Sequence, residues 1–336
     1  MNPTALARLF RERQLEGPEG VLEPRRALLT RKSLLLFTDD LVLKLRRPRE
    51  AGPYDWHDAS AMSVRYMLIA RERWFGRQLN EGVYLEDCVL RADPDRDDRV
   101  LLHRGFVEGE PVVLMRRLPD ALRADVLLTE VDPDEGQRRL EGFLQRLARF
   151  HAQAEAHEKP PFGRPERARE RFEAFMEIVA PLLEPRERER LEDETGQWLE
   201  RLAPTFAHRV MERRVRTVHG DLRMEHLFLG ADDRDVALID PNDDQDSERA
   251  LDTAEEVMSL ALELDQVICR AATDRAIEAY AIATLDVTLR RVARFYKRLG
   301  CLRRAAEAFI EGLEPDADQD DAHGRARGFI ALALTC

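Results

Sequence analysis

The segment VRTVHGDLRMEHLFLGADDRDVALID, residues 215–240, gathers the side chains most capable of chemistry. His219, Gly220 and Asp221 fall where an apolar run stops and a glycine breaks regular structure, so Asp221 and His226 belong on a loop. Two short strand-like pieces, 227–229 and 236–239, then return the chain to Asp240, and that hairpin is expected to bring Asp221 and Asp240 together at its mouth. Two carboxylates so placed can divide a phosphoryl transfer between them. One orients a hydroxyl and takes its proton, and the other holds a divalent cation on phosphate oxygens. Positioning and charge neutralisation supply most of such catalysis. A lone His-Gly-Asp is equally well turn chemistry, with Asp221 capping a local turn, so the triplet needs support from elsewhere in the chain.

Lys44 supplies some. It interrupts an apolar strand, LVLKL, in a chain whose 53 Lys and Arg include only Lys32, Lys44, Lys159 and Lys297 as lysines. A compact ammonium turned into a site suits phosphate contact; the alternative is an edge-strand charge facing water. Glu72, on the following helix, is the acid best placed to pair with Lys44. Its alternative is a solvated helix face beside Arg71 and Arg73.

These residues need elements to hold them. The β-prone segments 33–37 and 41–45 flank Thr38-Asp39-Asp40, which has turn chemistry, and predict a hairpin. Helical character over 59–79 is followed by strand-like pieces near 83–90, 100–107 and 111–115, with an acidic loop over 92–99. After Leu118-Pro119 the pattern is helical over 121–129, 134–157, 166–181 and 185–203, and again from 248 to 312. An acidic linker, 314–324, and a last helix, 325–334, close the chain. The pattern predicts an α+β, bilobal architecture: a small β-rich N-lobe over residues 1–116 and a larger, mainly helical C-lobe over 117–336 with a catalytic loop at 217–240. A cleft between lobes is the default place for a ligand.

Composition narrows the function. A net charge of -12 gives no reason to expect nucleic acid or an anionic membrane surface as partner. Cys88, Cys269, Cys301 and Cys336 form no CxxC pair, which fits reduced thiols in a cytoplasmic protein rather than a disulfide frame or zinc site. Residues 1–15 interleave Arg8, Arg11, Glu12 and Arg13 with apolar residues and predict an amphipathic helix, not a signal peptide. No run approaches the roughly 18 apolar residues of a membrane span. His151, beside Leu147 and Phe150, is expected as a helix-packing histidine, and His57, His103, His157, His208 and His323 show no ligand spacing. Trp56, Trp74 and Trp198 are expected to pack. The arginines over 164–171 and 186–190 alternate with Glu as solvent-facing helix surfaces. Arg46, Arg47 and Arg49 follow Lys44 and suit either phosphate contact or solvent.

A strand lysine, a helix glutamate, the linker-like VVLMRRLP, HGD with a polar residue five positions on, and an Asp after a short strand occur in that order. In this the chain resembles the aminoglycoside phosphotransferase-like small-molecule kinases. More closely, LLFTDDLVLKLRRP, RQLNEGVYL, VVLMRRLPD, FHAQAEAH and HGDLRMEHLFL resemble an uncharacterised bacterial branch of that superfamily, in which the domain is often fused to a P-loop ATPase domain. The resemblance covers roughly residues 20–300. It implies a protein-kinase-like fold and a phosphotransferase that uses ATP, with GTP as the alternative, and Mg²⁺ or Mn²⁺ to phosphorylate a hydroxyl of a small molecule. It places Lys44 on the nucleotide phosphates, Glu72 orienting it, Asp221 as catalytic base and Asp240 as the metal aspartate. Backbone groups around Leu114, Met115 and Arg116 would face adenine, and His219 and Glu256 would support the catalytic loop.

The chain departs from that pattern in three ways. His226 stands where many kinases have a metal-binding Asn, and imidazole is a poorer ligand for Mg²⁺ and a better one for transition metals. Pro241-Asn242-Asp243-Asp244 follows Asp240 where the branch has Cys-x-Glu-Phe, leaving Asp243 as the candidate replacement acid. No GxxxxGK[ST] occurs, so a P-loop ATPase partner would be a separate protein. Two other readings remain: a degenerate kinase fold used for nucleotide binding or regulation, and a metallohydrolase built on His219, Asp221, His226 and Asp240. The second gives Lys44 and Glu72 no role. Acceptor-binding residues are expected from 160–210 and 245–300, where no diagnostic motif occurs.

Overall fold

A computed structural model describes residues 14–18, 20–51, 57–80, 82–96, 99–105, 107–158, 162–231, 235–242, 249–314 and 317–336. The helix expected over residues 1–15 lies outside the described residues but for Gln14 and Leu15, which open a strand. Trp56, Asp243 and Asp244 also lie outside them. The chain divides into two compact units, Met1–Leu122 with Gly230–Gln245, and Arg123–Leu229 with Asp246–Cys336. The segment carrying Asp240 thus groups with the N-terminal half of the chain.

The first unit is built on a mixed sheet of β1 (Gln14–Gly17), β2 (Gly20–Leu22), β3 (Arg26–Leu29), β4 (Ser33–Phe37), β5 (Leu41–Arg46), β6 (Tyr84–Ala92), β7 (Arg99–Arg104) and β8 (Glu110–Arg116). Their order is β2-β1-β7-β6-β8-β5-β4-β3. Neighbours pair antiparallel except β1 with β7, which are parallel. Side chains alternate across a strand. Leu43 and Leu45 of β5 therefore enter one apolar cluster with Leu34, Leu36, Leu90, Val112 and Leu114. Lys44 and Arg46 are turned to the opposite face.

That face meets α1 (Met62–Leu79). Its buried residues Arg65, Leu68, Ile69, Glu72, Phe75, Gly76 and Leu79 recur at three- and four-residue spacing, so they form one helical stripe. Glu72 is the acid in that stripe. Packing of α1 on β5 thus brings Lys44 and Glu72 together from two elements.

The second unit is helical: α2 (Ala124–Glu130), α3 (Pro133–Gln153), α4 (Pro165–Val179), α5 (Pro185–Met211), α6 (Thr253–Val267), α7 (Arg270–Thr284), α8 (Leu289–Gly312) and α9 (Gln319–Thr335). Proline opens α3, α4 and α5, where its missing N–H costs nothing. Asp132 and Asp252 cap α3 and α6 through their side chains. The strands Val215–Thr217 and Ala250–Asp252 pair antiparallel and clamp the ends of the loop that carries Asp221. The acidic stretch expected as a linker is partly a helix start: Asp318 caps α9, and Asp320 and Asp321 occupy its first turn, where the helix dipole favours negative charge. Among the described residues no helix is long and apolar enough to cross a membrane.

Candidate functional site

In the first unit Lys44 is 4% exposed, and its Nζ donates to Glu72 Oε1 at 2.8 Å and to Asp240 Oδ1 at 2.5 Å. The other Glu72 oxygen, Oε2, accepts from Arg46 NH2 at 3.0 Å. Two cations and two carboxylates balance here. Burial alone would lower the Lys44 pKa, but the charges of Asp240 and Glu72 outweigh it and raise it, so the ammonium persists.

Asp240 is held in a left-handed conformation, φ 58°. A non-glycine residue stays there only when its surroundings over-determine it. Three contacts do so. Its amide donates to the Tyr84 hydroxyl at 2.9 Å, and its carboxylate is bonded to Lys44. Two residues earlier, Asn80 clamps Leu238 on both sides, accepting from its N–H at 2.7 Å and donating to its carbonyl. The Asp240 side chain remains 43% exposed.

Leu114, Met115 and Arg116 lie within β8, flanked by β5 on one side and β6 on the other. The Arg116 amide donates to Val83 O, and Arg117, the first residue past the strand, donates its amide to Asp40 O. Arg116 NH1 also donates to Asp235 Oδ1 at 3.3 Å.

In the second unit Gly220 takes φ 82°, a conformation that favours glycine. Its amide donates to Glu256 Oε1 at 2.7 Å. The other Glu256 oxygen faces His151 Nε2 at 2.7 Å, and His151 Nδ1 faces the Tyr280 hydroxyl at 2.7 Å. Since a carboxylate only accepts, Nε2–H donates to Glu256, and in the neutral ring Nδ1 accepts from Tyr280. A buried chain of bonds from α7 through α3 and α6 thus ends on the loop backbone. His151 packs there as expected, and its second neighbour is the Glu256 that holds Gly220.

His219 is fully buried, and its Nδ1 accepts the Asp221 amide at 3.3 Å. His226 Nδ1 lies 3.0 Å from the Asp221 carbonyl, so that nitrogen carries the proton and Nε2 holds the lone pair in the neutral ring. The Asp221 carboxylate Oδ1 accepts from Arg223 Nε at 3.0 Å, Arg304 NH1 at 3.0 Å and Arg303 NH2 at 3.4 Å. Burial pushes its pKa up, but Arg223, Arg304, His226 and Arg303 outweigh burial and hold it well below the usual carboxylate range. The group is ionised throughout the neutral range.

The structure therefore joins Lys44, Glu72 and Asp240 in one unit and His219, Asp221, His226 and Glu256 in the other. Sequence reasoning missed Asn80 and Tyr84, which fix Asp240, and Arg303 and Arg304, which fix Asp221. Asn80 and Tyr84 lie within RQLNEGVYL without any chemical signature of their own, and two adjacent arginines in an Arg-rich helix carry no signal. Among the described residues no three His, Cys, Asp or Glu side chains gather as a metal-holding group.

Residues 38–296 match the model of a family described as the phosphotransferase enzyme family. Uncharacterized proteins of Mycobacterium tuberculosis and Mycobacterium bovis are 27% identical over 304 residues, 87% of this chain and 56% of theirs. The chain thus spans about half the length of the curated relatives it matches. Among solved structures, the GDP and kanamycin complex of APH(2″)-IIIa aligns with TM-score 0.55 at 15% identity, covering 94% of each chain. Choline kinase from Cryptosporidium parvum aligns with TM-score 0.56 at 10% identity, covering 92% of this chain and 87% of its own. At such identities these likenesses establish a common fold, the bilobal kinase-like one expected from the sequence.

Proposed function

Because the chain belongs to the phosphotransferase enzyme family, we propose that it transfers the terminal phosphoryl group of ATP to a hydroxyl of a small molecule. The observation that carries the proposal is Lys44 buried between Glu72 and Asp240, an ammonium kept charged and fixed in direction. Proteins of the same fold hold GDP, which supports a purine nucleotide as donor and leaves GTP as the alternative.

Asp240 fits a magnesium ion. Mg²⁺ commonly takes one or two carboxylates, completing its shell with water and substrate phosphates, so a full cage of protein ligands is unnecessary. Asp240 is exposed enough to serve. His226, the other candidate ligand, lies in the second unit, and its imidazole would suit Mn²⁺ better than Mg²⁺. When bound, the ion would neutralise phosphate charge. Lys44 would hold phosphate oxygens, with Glu72 keeping its side chain extended. Leu114, Met115 and Arg116 are paired within the sheet to β5 and β6, which would leave the base to the chain that follows β8. Asp221 would orient the acceptor hydroxyl and take its proton at the carboxylate as the oxygen attacks phosphorus. Gly220, His219 and Glu256 would keep that carboxylate in place. No finding supports a separate P-loop ATPase partner, and the proposal does without one.

The test is ATP consumption and a metal-dependent thermal shift with ATP. Asp221→Asn should abolish turnover while leaving the shift, and Lys44→Met should weaken both. A wild-type protein that neither binds nor consumes nucleotide would sink the reading. A second reading, nucleotide binding without transfer, is favoured by His226 in place of Asn. Binding that ignores both metal and Asp221→Asn would select it.

A further inference from the structure

Asp221 is gripped from α8, an element that no motif connects to it. Arg303 NH1 donates to the Gly220 carbonyl at 2.7 Å, and Arg304 NH2 reaches the Leu222 carbonyl at 3.4 Å. The same two guanidiniums share Asp221 Oδ1 with Arg223. The loop is therefore held before, at and after the aspartate. Asp221 Oδ2 has His226 Nδ1 at 3.7 Å, beyond hydrogen-bond range.

Three arginines at one point could equally suit an anionic ligand, but their charge is already met. Glu307 pairs with Arg223, Arg303 and Arg304 at 2.7, 2.8 and 3.0 Å, and Glu263 pairs with Arg304 at 3.1 Å. Glu263 also accepts the Met224 amide at 2.8 Å, tying it to the loop. With Asp221 and with Glu225, 3.4 Å from Arg223 NH1, the three arginines face four carboxylates among the described residues. The cluster has no spare charge for a phosphate or carboxylate ligand.

We propose that Arg303 and Arg304 are positioning residues for Asp221: they commit its Oδ1 to guanidinium bonds and so present Oδ2 to the acceptor hydroxyl. This rests on the reading of Asp221 as the base. It assigns α8 a part in the reaction rather than only in the core. Each guanidinium spans a backbone carbonyl and the carboxylate, which a planar fork can do and a single ammonium cannot do as well. Rotation of the Asp221 side chain would break several bonds at once.

Arg304→Met is expected to lower kcat by about 100-fold, the scale of an ångström-sized misplacement, while KM for ATP stays within about twofold. Arg304→Lys should recover the melting temperature more fully than kcat. Arg298→Met is the control: Arg298 is on the same helix and 1% exposed, but bonds Glu194, Thr195 and Ala333, so its loss should lower stability and spare kcat per folded molecule. A kcat that falls only in proportion to unfolded protein overturns the proposal. A urea double-mutant cycle of Arg304→Met with Asp221→Asn tests the tether without turnover. Non-additive midpoints support it, and additive ones overturn it. Absence of ATP consumption by the wild-type protein would instead sink the phosphotransferase reading, leaving the cycle to judge the tether.

Discussion

Gly76 and Tyr84 occupy space that one more carbon would overfill: a Cβ at Gly76 would lie 2.4 to 2.6 Å from the Tyr84 ring. The hydroxyl of that ring accepts the Asp240 amide at 2.9 Å. A glycine inside a helix, normally unfavourable there, thus sets where the candidate metal aspartate stands.

Gly76→Ala should therefore destabilise the protein by about 1–3 kcal/mol, the cost of overpacking, despite alanine's better helix propensity. Tyr84→Phe keeps the ring and loses only the hydrogen bond, for about 1 kcal/mol. Urea denaturation of both variants separates clash from bond. A stabilised Gly76→Ala would show that the ring moves freely.

Glu72 holds Lys44 and Arg46 with a fully buried side chain. Glu72→Gln leaves two buried cations facing an amide, and should cost about 3–5 kcal/mol in urea denaturation. Nucleotide affinity should fall as well, because Lys44 would then be directed by Asp240 alone.

Arg209, fully buried, bonds Asp252 at 2.6 Å and Asp286 at 2.8 Å. Burial opposes ionisation of Asp286, but its bonds to Arg209 and the charges of Arg209 and Arg214 lower its pKa below the ordinary value. A carboxyl with a depressed folded pKa contributes stability above its unfolded pKa of about 4 and loses it as pH falls through the folded value. Asp286→Asn should thus lower the melting temperature at pH 7, and the gap to wild type should narrow below about pH 4. A gap independent of pH would mean the shift is not what stabilises.

Leu285 sits 79% exposed at the end of α7 with φ 53°. Left-handed backbone is strained for leucine and natural for glycine at a helix C-terminus. Leu285→Gly should raise stability by about 1 kcal/mol, read as a higher melting temperature.

The hairpin of β4 and β5 was legible because apolar residues and a Thr-Asp-Asp turn are local signals. So were the proline-led helices α3, α4 and α5. β1, β2 and β3 were not. They are three or four residues long, and β3 is exposed along its whole length, so neither alternation nor an apolar run marks them. The acidic stretch at Asp318 reads as a linker because capping acids and solvated acids look alike until a helix follows.

Residue types and their order along the chain, Lys44, Glu72, Asp221 and Asp240, mark which side chains could do the chemistry. They leave Lys44 and Glu72 open between a pair and two solvated charges, and the packing of α1 on β5 closes that choice. How the two aspartates are held is a matter of tertiary packing. Asp240 is locked by Asn80, Tyr84 and the space left by Gly76, and Asp221 by Arg303 and Arg304, 82 and 83 residues away in sequence. Such contacts depend on where distant elements pack, and a hydrogen bond between remote residues leaves no periodic trace in the chain that makes it.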